Sequence, residues 1–354
     1  MAHSQAMDNS INVSVYNKNN NYNLYKSELN FVIEEVDEII KEKFNANSDY
    51  KFNSKKYKKI KFILDGFEKI TSLRILHKKN YHNYLNSYLS LTERKICART
   101  YIDFLQNQEE YYKVYENLSD KDSKNVFLNV IKLRLSSLFL GRGAFNLFNF
   151  GIGLSEFERL VNKYQYKNII TLKKGEVIID AGAYVGKDSK IFAWINGFKN
   201  IVYALEPQEK PFMVLLNNVK KHNYDEVIMP LKLGVWSSNT KKRLKGKGSS
   251  ASVICTPNYG RDHHQEIDCI TIDDYFKDIN IGFIKMDVEG AELEALKGSK
   301  KIISKLKPKL AISVYHKARD LIDIPLFLKR IRPDYELYIQ QIHPGLRETI
   351  LFAV

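Results

Sequence analysis

The sequence predicts an α/β protein: a doubly wound, mostly parallel sheet closed by a C-terminal antiparallel hairpin and preceded by an all-helical domain. Three observations carry this expectation. All eight prolines lie at or beyond Pro207, and Gly66 is the only glycine before Gly141. Without these helix breakers roughly the first 140 residues read as helical. From Gly175 onward, short β-branched runs alternate with helical stretches, as parallel strands joined by crossover helices do. Finally, YELYIQQI and ETILFAV are joined by HPGLR, whose Pro-Gly pair marks a tight reversal.

Taken in order, residues 1–20 read as a disordered, tag-like lead and residues 21–165 as the helical domain. Apolar positions recur at helical spacing through Leu29–Ile40, Tyr57–Leu76, Tyr81–Leu105 and Val126–Leu140. Ser119 is placed to cap the last of these, with Asp120 and Asp122 suiting the positive helix start. Residues 166–354 carry the sheet. Strands are expected near 176–180, 200–206, 227–234, 282–287 and 308–314, with helices beginning near Gly186, Glu209, Gly290 and Ala318. Between the third strand and Ile267, the stretch TKKRLKGKGSSASVICTPNYGRDHHQE reads as an inserted loop, rich in turn residues and positive charge.

Composition narrows the classes. The chain has 354 residues, 44% of them hydrophobic, enough for a substantial core. Its 55 basic and 41 acidic side chains leave a net charge of +14. The basic residues are mostly Lys scattered among Asn, Tyr and Ile, which fits a Lys/Asn-rich bacterial proteome better than a nucleic-acid face. The run KFNSKKYKKIKF reads as a solvated helix side. Cys97, Cys255 and Cys269 lack CxxC spacing, so neither a disulfide framework nor a zinc site is expected, and a reducing cytoplasm is the natural compartment. No stretch reaches the ~18 apolar residues of a membrane span.

Ligands of such sheets bind beyond the carboxyl ends of the strands. There EVIIDAGAYVGKDS runs from strand through loop to helix, and Gly182 and Gly186 allow a tight turn. The spacing is D-x-G-x-x-x-G rather than the dinucleotide fingerprint. A carboxylate at Asp180 would repel a pyrophosphate, yet it suits a ligand carrying a sulfonium and an ammonium, as S-adenosylmethionine does. Glu206, at the end of the second strand in YALEP, stands where an acid accepts hydrogen bonds from a ribose diol. The plainer alternative is that Asp180 and Glu206 only favour helix starts.

The ordered motifs IIDAGAYVGKDS, ALEPQEKPFMVLLNNV, LGVWSS, SSASVI, ITIDDYF and IKMDVEGAELEALKG resemble the FkbM family of SAM-dependent methyltransferases. Similarity extends over about residues 110–354 and is strongest at 176–298. The resemblance implies a class I methyltransferase fold and transfer of a methyl group to a hydroxyl of a sugar or other secondary metabolite. It places Asp180, Gly182, Ala183, Tyr184 and Gly186 on the methionine side of the cofactor. Glu206 would hold the ribose, Pro207 and Gln208 would lie beside the adenine, and Gly234 would join them. Asp287 would sit at the methionine end, facing the acceptor. Where the family commonly has an acid after the fifth strand, this chain reads SVYHK, with His316 in its place.

A sugar hydroxyl is a poor nucleophile, so alignment and a base are required. The candidates are Asp287, Glu289, Lys285 and His316. Each has a structural alternative: His316 could bond a buried backbone group, and Lys285 could neutralise the acids. Glu292 and Glu294 suit a helix start. Asp287 and Glu289 could hold a divalent cation, but two acids at this spacing do not define a site. His263 and His264, beside Arg261 and Asp262, lack a third ligand. No metal is therefore assigned. Lys245, Lys247 and Arg261 suggest an acceptor that carries phosphate. The competing classes are an N-methyltransferase, a nucleic-acid methyltransferase and a non-catalytic interaction protein. The helical half could serve homodimerisation, acceptor docking or anchoring to a partner.

Overall fold

The computed structural model describes residues 90–140, 162–195, 197–245, 252–254, 265–342 and 345–354, all within one compact unit. The expected stripes at Leu29–Ile40 and Tyr57–Leu76 lie outside these residues. So do Lys247, Cys255, Arg261, His263 and His264.

Three helices come first: α1 (Leu91–Gln106), α2 (Gln108–Asn117) and α3 (Lys121–Leu140). Helix α1 opens on a capping box, in which Glu93 N donates to Ser90 Oγ and Ser90 N to the Glu93 carboxylate at 2.7 Å. The cap of α3 is Asp120, not Ser119 as expected: Asp120 Oδ1 accepts Ser123 N at 2.8 Å. Ser119 is drawn elsewhere by the C-terminal hairpin. It exchanges backbone and side-chain hydrogen bonds with Leu337, while Ser123 Oγ accepts Ile339 N. These serines satisfy the edge of the last-but-one strand, which would otherwise present open N–H groups.

The sheet follows the expected alternation: β1 (Val177–Ala181), α4 (Lys187–Ile195), β2 (Ile201–Leu205), α5 (Glu209–Lys221) and β3 (Ile228–Leu231). Next come β4 (Gly234–Val235), β5 (Thr240–Lys245), β6 (Ser252–Ile254), β7 (Gln265–Ile270), α6 (Ile272–Tyr275) and β8 (Ile281–Met286). The chain ends with α7 (Glu292–Lys297), α8 (Lys300–Leu306), β9 (Lys309–Ser313), α9 (Asp320–Ile331), β10 (Leu337–Gln341) and β11 (Thr349–Ala353). The seven-stranded order is β10-β11-β9-β8-β1-β2-β3. Strand β11 is antiparallel to both β9 and β10, and the rest run parallel. This is the class I methyltransferase-like order; its central strands are buried along nearly their whole length, hence on both faces, and one face packs around Ile178, Val202, Phe283 and Ala311.

Two expectations change in the middle of the chain. The third strand ends at Leu231, because Gly234–Val235 leave the main sheet to pair with β7. The stretch read as an inserted loop instead contributes β5, β6 and part of β7 to a second sheet, ordered β4-β7-β5-β6. Its signal was alternation within a charged run. In QEIDCI, Ile267 and Cys269 point to a small core with Trp236 and Leu244, while Glu266 and Asp268 face solvent. Abundant lysine masked this period.

Candidate active site

The strand order reverses beside β1: the chain first moves out through β2 and β3, then returns to β8 on the other side. Ligands of open α/β sheets bind at such a switch point. The loops after β1 and β8 meet there. Asp287 N donates to Ala181 O at 3.1 Å. A Cβ on Gly182, whose φ is +79°, would lie 2.0 Å from Asp287 O, so only glycine fits.

On the first side of the junction the two strand-end carboxylates, Asp180 and Glu206, are engaged. Glu206 accepts Tyr184 N at 3.0 Å and Gln208 N at 2.8 Å, while Gly182 N and Ala183 N donate to Leu205 O. Each Glu206 oxygen therefore holds one backbone N–H and keeps lone-pair capacity for a ribose diol. Burial pushes its pKa up, against the pull of those two N–H groups. Tyr184, 39% exposed with φ +52°, stands on the open face of the loop. Asp180 does not face that opening. It is wholly buried, paired through Oδ1 with Lys285 Nζ at 2.8 Å, and its Oδ2 accepts Ser189 Oγ at 2.5 Å.

Lys285 is not free to act as a base. Its ammonium also donates to Gly182 O at 2.8 Å and Ala181 O at 3.3 Å. Burial alone would lower its pKa, but Asp180, Asp188 and Asp287 raise it and hold the charge. Lys285 thus fastens the β1 loop from beneath. Gly186, φ +81°, permits Leu215 to pack against the turn. Gly234 is a packing position in the second sheet, where a Cβ would meet Cys269 Sγ at 2.9 Å. Pro207 O accepts Gln265 Nε2.

The second side carries the acids. Asp287 accepts Tyr164 Oη at 3.2 Å and Tyr315 Oη at 3.1 Å. Burial would raise its pKa, yet Lys285, His316 and Lys163 hold it down at about 2. Glu289 follows in a left-handed conformation, φ +54°, and Gly290 continues the turn at φ +92°. Burial lifts the Glu289 carboxyl to about 7, with His316 opposing the rise and Asp287 and Glu292 adding to it. His316, with a side chain only 10% exposed, lies 3.5 Å from both Asp287 Oδ1 and Glu289 Oε2, and 2.8 Å from Glu292 Oε1. Burial would lower its pKa, but Glu292 foremost, then Asp287 and Glu289, raise it to about 10. Glu292, expected to serve only the helix start, is fully buried against His316. Glu294 bonds Ser237 and Lys297 instead.

Sequence reasoning missed Lys163, Tyr164 and Tyr315. The first two precede β1 outside any motif, and Tyr315 stands where the family pattern led attention to its neighbour His316. The loop bearing Tyr315 and His316 is held from the helical segment. Buried Arg134 of α3 donates to Val314 O and Ala318 O, one on either side. Arg319 binds Asp103 of α1 and Glu110 of α2.

Residues 180–335, spanning both sides of this junction, match the methyltransferase FkbM domain. This segment is thus similar to the FkbM methyltransferase domain. Methyltransferases of this family use S-adenosylmethionine as methyl donor. The FkbM methyltransferase of Methylobacillus flagellatus KT is 25% identical over 72% of this chain, with a TM-score of 0.57. The match spans 60% of that protein's length. Aeropyrum pernix fibrillarin, solved with S-adenosyl-L-methionine, matches 56% of the chain and 74% of its own at 10% identity and TM-score 0.36. A SAM-dependent methyltransferase from Aquifex aeolicus matches 60% of the chain and 96% of its own at 14% identity and TM-score 0.34. No curated protein sequence matches the chain. Among the described residues, no helix is long and apolar enough to cross a membrane.

Proposed function

We propose that the protein methylates a hydroxyl of a sugar or glycan in the cytoplasm. One observation carries the reading: the FkbM cofactor loop, Gly182–Gly186, abuts the acid-bearing turn Asp287–Gly290 at the sheet's switch point. S-adenosylmethionine, when bound, supplies a sulfonium methyl that passes to the acceptor oxygen as its C–S bond breaks. Glu206 and the Tyr184 loop hold the donor's nucleoside and methionine ends, with Gln208 alongside. Lys285 and Asp180 fix that loop. Asp287, gripped by two tyrosines, keeps a fixed negative charge between the donor and acceptor ends.

Glu289 takes the hydroxyl proton. Its side chain is 33% exposed, against 17% for Asp287 and 10% for His316, so it is the acid that an entering acceptor meets. Positioned bases of this kind contribute about 10²–10⁴-fold. The helical segment, through Arg134 and Arg319, sets the loop that carries His316. Incubating the full chain with S-adenosylmethionine and nucleotide sugars or surface glycans, then weighing the products, tests the reading. One added methylene per acceptor, on oxygen by fragmentation, is expected. Methyl found only on nitrogen or on nucleic acid would overturn it. Absence of calorimetric S-adenosylmethionine binding would favour an interaction protein.

A further inference from the structure

At the centre of the acid-rich turn is a charge arrangement that its own hydrogen bonds do not satisfy. Glu292 is buried and the His316 side chain is only 10% exposed; His316 Nδ1 lies 2.8 Å from Glu292 Oε1 without an aligned hydrogen bond, and among the described residues its Nε2 has no hydrogen-bond partner and Glu292 Oε2 accepts none. Leaving such atoms unpaired costs about 1–3 kcal/mol each. His316 Nε2 lies 3.5 Å from Asp287 Oδ1 and 3.5 Å from Glu289 Oε2. That is long for N–H···O, whose usual range ends near ~3.2 Å. It is close to the separation of about 3.4 Å between two donors sharing one ion at ~2.1 Å in tetrahedral geometry. Asp287, Glu292 and His316 each offer one donor atom, and the three lie within 4.8 Å of one another.

The neighbouring cations are already engaged. Lys285 is paired with Asp180 at 2.8 Å, and Lys163 with Glu348 at 2.7 Å, leaving Lys163 3.9 Å from Asp287. Three carboxylates, of Asp287, Glu289 and Glu292, therefore surround one imidazole.

We infer that Asp287, Glu292 and His316 form a binding site for a first-row divalent cation at the acceptor end of the cleft. Two carboxylates balance a divalent charge, and the imidazole gives up its proton as the ion binds. A mixed nitrogen and oxygen donor set favours manganese, ferrous iron or zinc over calcium and magnesium, which take oxygen ligands. Glu289, beside the site and more exposed, remains available to the acceptor. The catalytic use of the ion rests on the methyltransferase reading. There it would bind the acceptor hydroxyl, ease loss of its proton to Glu289, and favour acceptors with a second oxygen donor next to the reacting one, such as a vicinal diol.

Manganese provides the test, because binding quenches the six-line spectrum of the free aqua ion. Titrating the full chain with Mn²⁺ should remove one equivalent of that signal. Spin-echo modulation of the bound ion should show coupling to one ¹⁴N, a readout that needs no variant. Glu292→Gln and His316→Gln should weaken binding about 10–100-fold or more, whereas Glu266→Gln, on the second sheet, should not. An undiminished free-ion signal, binding without nitrogen coupling, or equal binding by folded Glu292→Gln and His316→Gln would overturn the site. Calorimetry with S-adenosylmethionine alone separates the two failures. A chain that takes the methyl donor but no Mn²⁺ refutes the cation site only, and the reverse result refutes only the methyltransferase reading.

Discussion

The two sides of the switch point are built from similar residues but to opposite ends. On the β1–β2 side, the carboxylates of Asp180 and Glu206 are buried and spent on the scaffold: Asp180 on Lys285 and Ser189, Glu206 on Tyr184 N and Gln208 N. On the β8–β9 side, three carboxylates, Asp287, Glu289 and Glu292, crowd around the single imidazole of His316, and among the described residues Glu292 Oε2 accepts no hydrogen bond. A paired carboxylate fixes backbone. A carboxylate left without a full set of partners is held ready for something else, because burial without pairing is costly. The difference teaches that acidic residues in one cleft are sorted into scaffold and chemistry by their partners, not by their type.

Breaking a pair on the first side should have the largest effect on stability. Lys285→Met strands Asp180 in the core and should cost about 3–5 kcal/mol in denaturant unfolding. Adding Asp180→Asn should recover part of that loss, and no recovery would mean that Lys285 stabilises mainly through Ala181 and Gly182. Gly182→Ala comes next. The overlap with Asp287 O and the left-handed φ together should cost about 2–4 kcal/mol and abolish calorimetric S-adenosylmethionine binding. Unchanged binding would place the donor elsewhere.

Arg134→Met leaves two buried carbonyls flanking the His316 loop without donors, for about 1–3 kcal/mol. It should lower kcat more than it raises KM for S-adenosylmethionine, since it disturbs the second side alone. Glu289→Gln should be nearly silent in unfolding and in donor binding, yet reduce kcat about a hundredfold or more. A loss of stability instead would move Glu289 into the scaffold. At the far end, Lys241→Ala removes an exposed pair with Glu266 on the second sheet and should leave both Tm and turnover unchanged.

Much of the fold was legible beforehand. Strands expected near 176–180, 200–206, 282–287 and 308–314 occur at Val177–Ala181, Ile201–Leu205, Ile281–Met286 and Lys309–Ser313. Their apolar runs are unbroken because parallel strands are buried on both faces, and a run is a local property. The second sheet was not legible, because its strands are short, charged on the outer face, and stabilised by Trp236 and Ala291 from other segments.

By itself, then, the chain determined the strand–helix alternation, the glycine turn after β1 and the arrival of acids at the end of β8, since periodicity and backbone freedom reside in neighbouring residues. Only the tertiary structure decided what those acids do. Lys285 was a candidate base until its three donors were seen spent on Asp180, Ala181 and Gly182. Glu292 belonged to a helix start until His316, from another strand's end, was found 2.8 Å away. Electrostatic role depends on distance and burial, and both are fixed by partners remote in sequence.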